Sequence, residues 1–263
     1  MSLLPDTLTA NDNAFSEEAE QCAAILEKQC ALAGISLNRK QLQQFGVYFD
    51  LLTETNKVMN LTALTSPRDV AVKHFIDSLL CYDETIMKGK KLIDVGTGAG
   101  FPGIPLKIYD PSLQLILLDS LEKRLKFLQT AVRELQLAEV GFVHMRAEDA
   151  GRHKTLRGQA DVAVSRAVAR LSVLAEYCLP LVKKGGFFVA LKGSKYKEEI
   201  AEAENAVRIL GGSVTSVKEV ELPGLDDGRA VIVIRKTKDT PSAYPRKAGL
   251  PGKSPLGSIY KEH

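Results

Sequence analysis

The chain has 263 residues, 45% of them hydrophobic and 25% charged, with a net charge of +3. That is enough apolar material for one domain with an extension, and it excludes a chain too charged to fold. No apolar run approaches the roughly 20 residues needed to span a bilayer. The four scattered cysteines and four histidines form no ligand-spaced pairs, so no metal is expected, and reduced thiols point to a cytoplasmic protein.

Residues 1–15 are polar and aperiodic and read as a disordered leader, acidic where a secretory signal would be basic. Ser16 before Glu17 and Glu18 marks a helix start, with Ala23, Ile25, Leu26, Cys30 and Leu32 as an apolar stripe ending at Gly34. A second helix is predicted from Asn38 to about Val58, with Leu42, Phe45, Phe49 and Leu52 at helical spacing. After the loop "NLTALTSPRD" a third helix carries Val70, His74, Phe75 and Leu79. Residues 16–88 therefore read as a helical cap.

From residue 89 short apolar runs alternate with amphipathic ones. "KLIDVG", "LQLILLD", "VGFVHMR", "ADVAVSRA" and "GGFFVALKG" are predicted strands. Between them "FPGIPLKIY", "LEKRLKFLQTAVREL" and "LSVLAEYCLPLV" are helical, and "KEEIAEAENAVRILGG" is a further helix after the fifth strand. The alternation predicts an α/β core over 89–238, a mostly parallel, Rossmann-like sheet with helices on both faces. "SVTSVKEVEL" and "RAVIVIRK" lack an intervening helix and are expected to pair antiparallel at one edge, giving seven strands. The segment 239–263 is a basic tail, expected to order on RNA or on the sheet edge. From Arg235 onward there are seven Lys/Arg and two Asp/Glu.

The turn after the first predicted strand reads Asp94-Val95-Gly96-Thr97-Gly98-Ala99-Gly100-Phe101. Glycines let the chain turn sharply and let a ligand approach the backbone. A dinucleotide fingerprint needs its third glycine one position later, where Phe101 stands. A carboxylate from Asp94 aimed into the turn would repel a pyrophosphate and attract the ammonium of a methionine moiety. Both features favour S-adenosylmethionine over NAD. Asp119, ending the second strand, is placed to accept both ribose hydroxyls, or else to cap the next helix. Ala147 and Glu148 follow the third strand, where the adenine ring would lie. Arg166 ends the fourth, at the edge where such folds bind ligands, facing the cofactor carboxylate or a substrate phosphate.

No acidic or Asn residue with two prolines and an aromatic follows the fourth strand, the usual arrangement for methylating an exocyclic amine. The nearest cysteine, Cys178, falls within a helix rather than at the edge used to attack a pyrimidine. An acceptor already bearing a lone pair, such as guanine N7, fits these absences but is not established by them.

The segments "VMNLTALTSPRDVAVKHFIDSLL", "LIDVGTGAGFPGIPLKI", "LLDSLEKRLKFL", "AVSRAVA" and "TPSAYPRKAGLPGKSPL" resemble the RsmG (GidB) family over about residues 20–257. That is the family of bacterial 16S ribosomal RNA guanine-N7 methyltransferases. The resemblance implies a class I S-adenosylmethionine-dependent methyltransferase fold without metal. It implies a guanine in the decoding-region hairpin of the small ribosomal subunit as acceptor. Its cofactor contacts fall on Gly96, Phe101, Ala147, Glu148 and Arg166; Asp94, Gly98 and Asp119 complete the expected set. Asn60, His74 and Asp77 match family motif positions, His74 either as an RNA-binding pocket residue or as packing on the sheet. Lys123, Arg124, Arg246, Lys247 and Lys253 are candidate phosphate contacts, and Tyr244 a base-stacking one. A monomer is expected. The competing readings are a ribosome-assembly factor without turnover, a small-molecule methyltransferase and an NAD-binding protein.

Overall fold

The computed structural model describes residues 16–257 apart from Pro223, Asp226 and Asp227; the expected disordered leader lies outside these. Helix α1 (Glu17–Leu32) is capped by the Ser16 hydroxyl, which accepts from the Ala19 amide. Helix α2 (Arg39–Met59) starts at Asn38 in a reciprocal capping box with Gln41. The third predicted helix is not one uniform helix. A single turn α3 (Pro67–Asp69) runs into a wide π-helical stretch, Val70–Ile76, and closes in α4 (Asp77–Leu79). Such widened turns recur at functional sites, and this one carries His74.

A short α5 (Glu84–Met87) leads into the sheet: β1 (Lys91–Val95), α6 (Gly103–Tyr109), β2 (Gln114–Asp119), α7 (Glu122–Glu134), β3 (Val140–His144), α8 (Ala147–Ala150), β4 (Ala160–Arg166), α9 (Leu171–Cys178), β5 (Val182–Lys192), α10 (Tyr196–Ile209), β6 (Gly212–Val220) and β7 (Arg229–Lys236). A last turn, α11, spans Leu250–Lys253. The sheet has seven strands in the order β3-β2-β1-β4-β5-β7-β6. Strands β1 to β5 are parallel, and β7 inserts antiparallel between β5 and β6. The antiparallel pair expected from sequence therefore forms, with β6 at the edge.

Alternation along the strands sorts the core onto two faces. Leu92, Leu115, Leu117, Val162 and Val164 pack with α1, α2, α6 and α7. Ile93, Val95, Leu118, Ala163 and Phe188 pack with α9 and α10. Helix α7 begins at Glu122, so Leu121 precedes it and is exposed rather than part of its apolar face.

One face of α2 is sewn onto the sheet layer by polar side chains. Gln41 Nε2 donates to the Ile108 and Tyr109 carbonyls at the end of α6, at 3.1 and 2.8 Å. Gln44 Nε2 donates to the Leu135 carbonyl at the end of α7, at 2.7 Å. The Tyr48 hydroxyl donates to the Ala99 carbonyl inside the glycine-rich turn. These acceptors belong to helix ends and a tight loop, whose carbonyls lack intrahelical partners. The N-terminal helices thereby hold the loop that forms the site.

The C-terminal segment is also fixed to the core, which corrects the expectation that it orders on RNA or along the sheet edge. Arg157 donates to the Gly151, Tyr244 and Thr240 carbonyls at 2.8 Å each. Arg246 clasps Glu176 on α9.

Candidate cofactor and acceptor site

Parallel strands β1, β2 and β4 end together, and a cavity of ≈ 520 Å³ opens over them. Its floor is the turn from Gly96 to Ala99; Asp119, Ala147, Glu148, Phe101 and Arg166 stand around it. This volume is within the range of cofactor sites, and the place is the one where open α/β sheets bind ligands.

Gly96 has φ +73°, and a Cβ there would lie 2.6 Å from Val168 Cγ2. The position therefore demands glycine twice over, once for conformation and once for room. The Asp119 carboxylate is 3% exposed. Its Oδ2 accepts from the Gly98 amide at 3.0 Å and from Arg124 Nη1 at 3.3 Å. Its Oδ1 accepts from the Leu121 amide at 2.9 Å. Asp119 thus lines the cavity while also holding the start of the next helix, so both readings open from sequence describe part of what it does. A cradle closed by Gly96, a buried acceptor carboxylate and Glu148 opposite suit the adenosyl half of S-adenosylmethionine.

Asp94 is a correction. It does not line the cavity. Its carboxylate is fully buried beneath the turn, where Oδ2 accepts from the Thr97 hydroxyl at 2.6 Å and the Gly103 amide at 2.9 Å. Oδ2 thereby shapes the loop, while Oδ1 is buried with no partner among the described residues. Burial pushes its carboxyl up to about 6.

Arg166 Nη1 donates to Asp77 Oδ2 at 2.6 Å and to the Lys73 carbonyl at 3.1 Å. Arg229 Nη1 reaches the other oxygen of Asp77 at 3.2 Å. The Arg166 guanidinium lies over the Phe101 ring, 5.0 Å from its centroid. His74 stacks on Phe101 with centroids 4.5 Å apart. Burial first, and then the Arg166 cation, push the His74 imidazole down to about 3. The ring is therefore neutral at pH 7 and belongs to the site as a wall, not as a cation for phosphate. The His74 Cε1–H proton shift is expected to stay flat from pH 8 to pH 5 by NMR; a titration near 6.5 would show an exposed ring.

The predicted phosphate contacts separate. Lys123 and Lys247 are exposed. Arg124 lines the cavity and pairs with Asp119. Arg246 is a correction: its guanidinium is committed to the fully buried Glu176. Tyr244 is half-buried against the core, and Asn60 is the left-handed C-cap of α2. The sequence reading missed Thr62, Val168, Tyr177 and Gly249, which also line the cavity. The Gly249 amide donates to Glu148 Oε1 at 2.8 Å, bringing the C-terminal segment to the adenine side. Val168 follows the end of β4 and could have been read from that edge, whereas Thr62, Tyr177 and Gly249 arrive through packing between elements far apart in the chain.

A sheet of this order, reversed only at β7, with a glycine turn after β1 and a buried acid ending β2, defines a class I S-adenosylmethionine-dependent methyltransferase. A family model described as GidB, rRNA small subunit methyltransferase G, matches residues 41–226. The chain belongs to that family. It is 53% identical to the ribosomal RNA small subunit methyltransferase G of Lactobacillus johnsonii, over 88% of this chain and 98% of that one. It is 52% identical to the protein of the same name from Alkaliphilus metalliredigens, over the same shares. Among solved structures, a protein described as a transferase from Pyrococcus horikoshii aligns with a TM-score of 0.51 and 15% identity over 66% of each chain, a likeness of fold alone.

Proposed function

We propose that this enzyme methylates N7 of one guanine in the decoding-region hairpin of 16S rRNA, acting as a cytoplasmic monomer on the small ribosomal subunit or its RNA. The observation that carries the reading is a cofactor-sized cavity whose lining histidine has both ring nitrogens engaged and whose carboxylates, Asp119 and Glu148, accept from backbone amides, in a chain of the small-subunit rRNA methyltransferase family. Guanine N7 has a lone pair and no proton to lose, so its methylation requires no free base. His74 is neutral with both ring nitrogens engaged, and Asp94 is sealed beneath the loop. A cysteine nucleophile is also lacking at the edge: Cys178 is buried, and burial holds its thiol well above the ordinary value.

Gly96, Gly98, Phe101, Asp119, Ala147, Glu148 and Arg166 would hold S-adenosylmethionine. When bound, it supplies an electrophilic methyl group on a sulfonium, open to in-line attack by a lone pair. Asp119 and Glu148 orient by accepting hydrogen bonds. Asp77 pairs with Arg166 and, through its other oxygen, with Arg229, which lowers the positive potential the cavity presents to a sulfonium. The α2 contacts hold the loop in register, and catalysis rests on positioning and exclusion of water. We place the cap at 16–88, the core at 89–238 and the basic tail at 239–263. Lys123 and Lys247 are the exposed cations proposed to meet phosphates.

Asp119→Ala removes a buried acceptor and is expected to weaken S-adenosylhomocysteine binding by about 100-fold, read by calorimetry. A loss under threefold would remove Asp119 from the cofactor site. The function is tested by tritiated-methyl transfer to 30S subunits and to their rRNA. Mass spectrometry of rRNA from cells lacking the protein should find one missing 7-methylguanosine. Unaltered rRNA methylation, or cofactor binding without transfer, would overturn the reading.

A further inference from the structure

We propose that the Thr62 hydroxyl is the group that reads the acceptor base, donating its proton to the guanine O6 beside the N7 that is methylated. This rests on the guanine-N7 reading above and adds a residue and an atom to it.

The Arg166 guanidinium has donors only, and its Nη2 lies 3.2 Å from His74 Nδ1. The Lys73 carbonyl near the ring already accepts from Arg166 Nη1; with Nδ1 accepting from Nη2, the neutral imidazole carries its proton on Nε2. Nε2 lies 2.8 Å from Thr62 Oγ1, so the ring donates to the hydroxyl oxygen. The Leu64 amide donates to the same oxygen at 3.0 Å. A threonine hydroxyl has two acceptor lone pairs and one proton. Both lone pairs are now filled, and the proton has no acceptor among the described residues. The backbone of Thr62 is fixed separately, its amide donating to Asn56 Oδ1 at 2.8 Å. Thr62 lines the same cavity as Phe101, His74 and Arg166. The chain Arg166 to His74 to Thr62 thus runs in one direction and ends on a hydroxyl constrained to donate into the site.

Guanine offers that donor a carbonyl oxygen on the same edge as N7, whereas adenine offers an amino group there. A directed donor accepts guanine and leaves an unsatisfied clash with adenine. Because O6 neighbours N7, the same bond that selects the base also aims its lone pair.

The test uses small-subunit rRNA carrying guanosine, inosine or 2-aminopurine riboside at the methylated position. All three keep N7, but only 2-aminopurine lacks O6. For the wild type, inosine should react like guanosine within about threefold, and 2-aminopurine should lose about 30-fold or more in kcat/KM. Thr62→Val is close in shape and removes the donor together with the oxygen that accepts from His74 and Leu64; it should shrink the guanosine/2-aminopurine ratio to about threefold, mainly by lowering kcat on guanosine. Thr62→Ser should restore the discrimination. Intrinsic differences in base reactivity cancel in the comparison of ratios. S-adenosylhomocysteine affinity, measured by calorimetry, should be unchanged in Thr62→Val. A wild type indifferent to O6, an unchanged ratio in Thr62→Val, or a tenfold loss of S-adenosylhomocysteine binding (the hydroxyl then serving the cofactor) overturns the assignment. If Thr62→Val does not fold, the wild-type ratio and Thr62→Ser decide. Failure of the wild type to methylate the guanosine RNA at all refutes the guanine-N7 reading instead.

Discussion

Gly100→Ala is expected to destabilise the fold by about 3–4 kcal/mol, read as a lowered urea midpoint at unchanged slope. Two separable costs contribute. Gly100 has φ +101°, and holding a residue with a Cβ in such a conformation costs about 1–2 kcal/mol. The new methyl would overlap the Tyr48 hydroxyl and sit 2.8 Å from both Ile104 Cγ1 and Leu128 Cδ2. Overpacking of this kind costs roughly a further 1–3 kcal/mol. Adding Tyr48→Phe removes the oxygen but neither aliphatic contact nor the backbone strain, so the double variant should recover only part of the loss. A loss below about 1 kcal/mol would show that α2 yields easily and does not brace the loop.

Arg246→Ala is expected to cost about 3–5 kcal/mol, because it strands a carboxylate rather than removing a surface charge. Arg246 gives Glu176 its backbone amide at 2.7 Å, Nε at 2.9 Å and Nη2 at 2.7 Å, and Glu176 is fully buried on α9. The amide survives substitution; the guanidinium does not. Glu176→Gln in the same chain should restore part of the stability, since a neutral amide is far cheaper to bury. RNA binding gives the opposing test. A true phosphate contact would lower the salt slope of affinity by about one unit without loss of stability. That pattern for Arg246, and its absence for Lys123 or Lys247, would reverse the assignment made here.

The sequence exposes what local chemistry controls. The glycine turn, the acid ending β2 and the Arg ending β4 are legible because a strand-to-helix turn and a sheet edge each demand particular residues at short range. Asp94 shows where this stops. Its place before the first glycine is readable, but whether its oxygens face up or down depends on where the Thr97 hydroxyl and Gly103 amide fall in three dimensions. Arg246 and Lys247 are alike in sequence; only the arrival of Glu176, 70 positions earlier, separates them. The wide turn at Val70–Ile76 is equally hidden, since its residues carry an ordinary helical apolar pattern. Thr62, Tyr48 and Gly249 reach the site through packing between elements far apart in the chain.

The hydrogen bond from Gly249 to Glu148 has a consequence for biosynthesis. One wall of the chamber is contributed by a stretch translated 130 residues after the acid of β2, and later still after the glycine loop, when the rest of the sheet has been made. A nascent polypeptide with every strand in place still has an open-sided vestibule, and a product clipped between the last strand and this stretch lacks both the enclosure and the Arg246 that compensates buried Glu176. Premature termination or tail proteolysis should therefore yield a destabilised, weakly liganded protein, and competence should arrive last, with the closing segment.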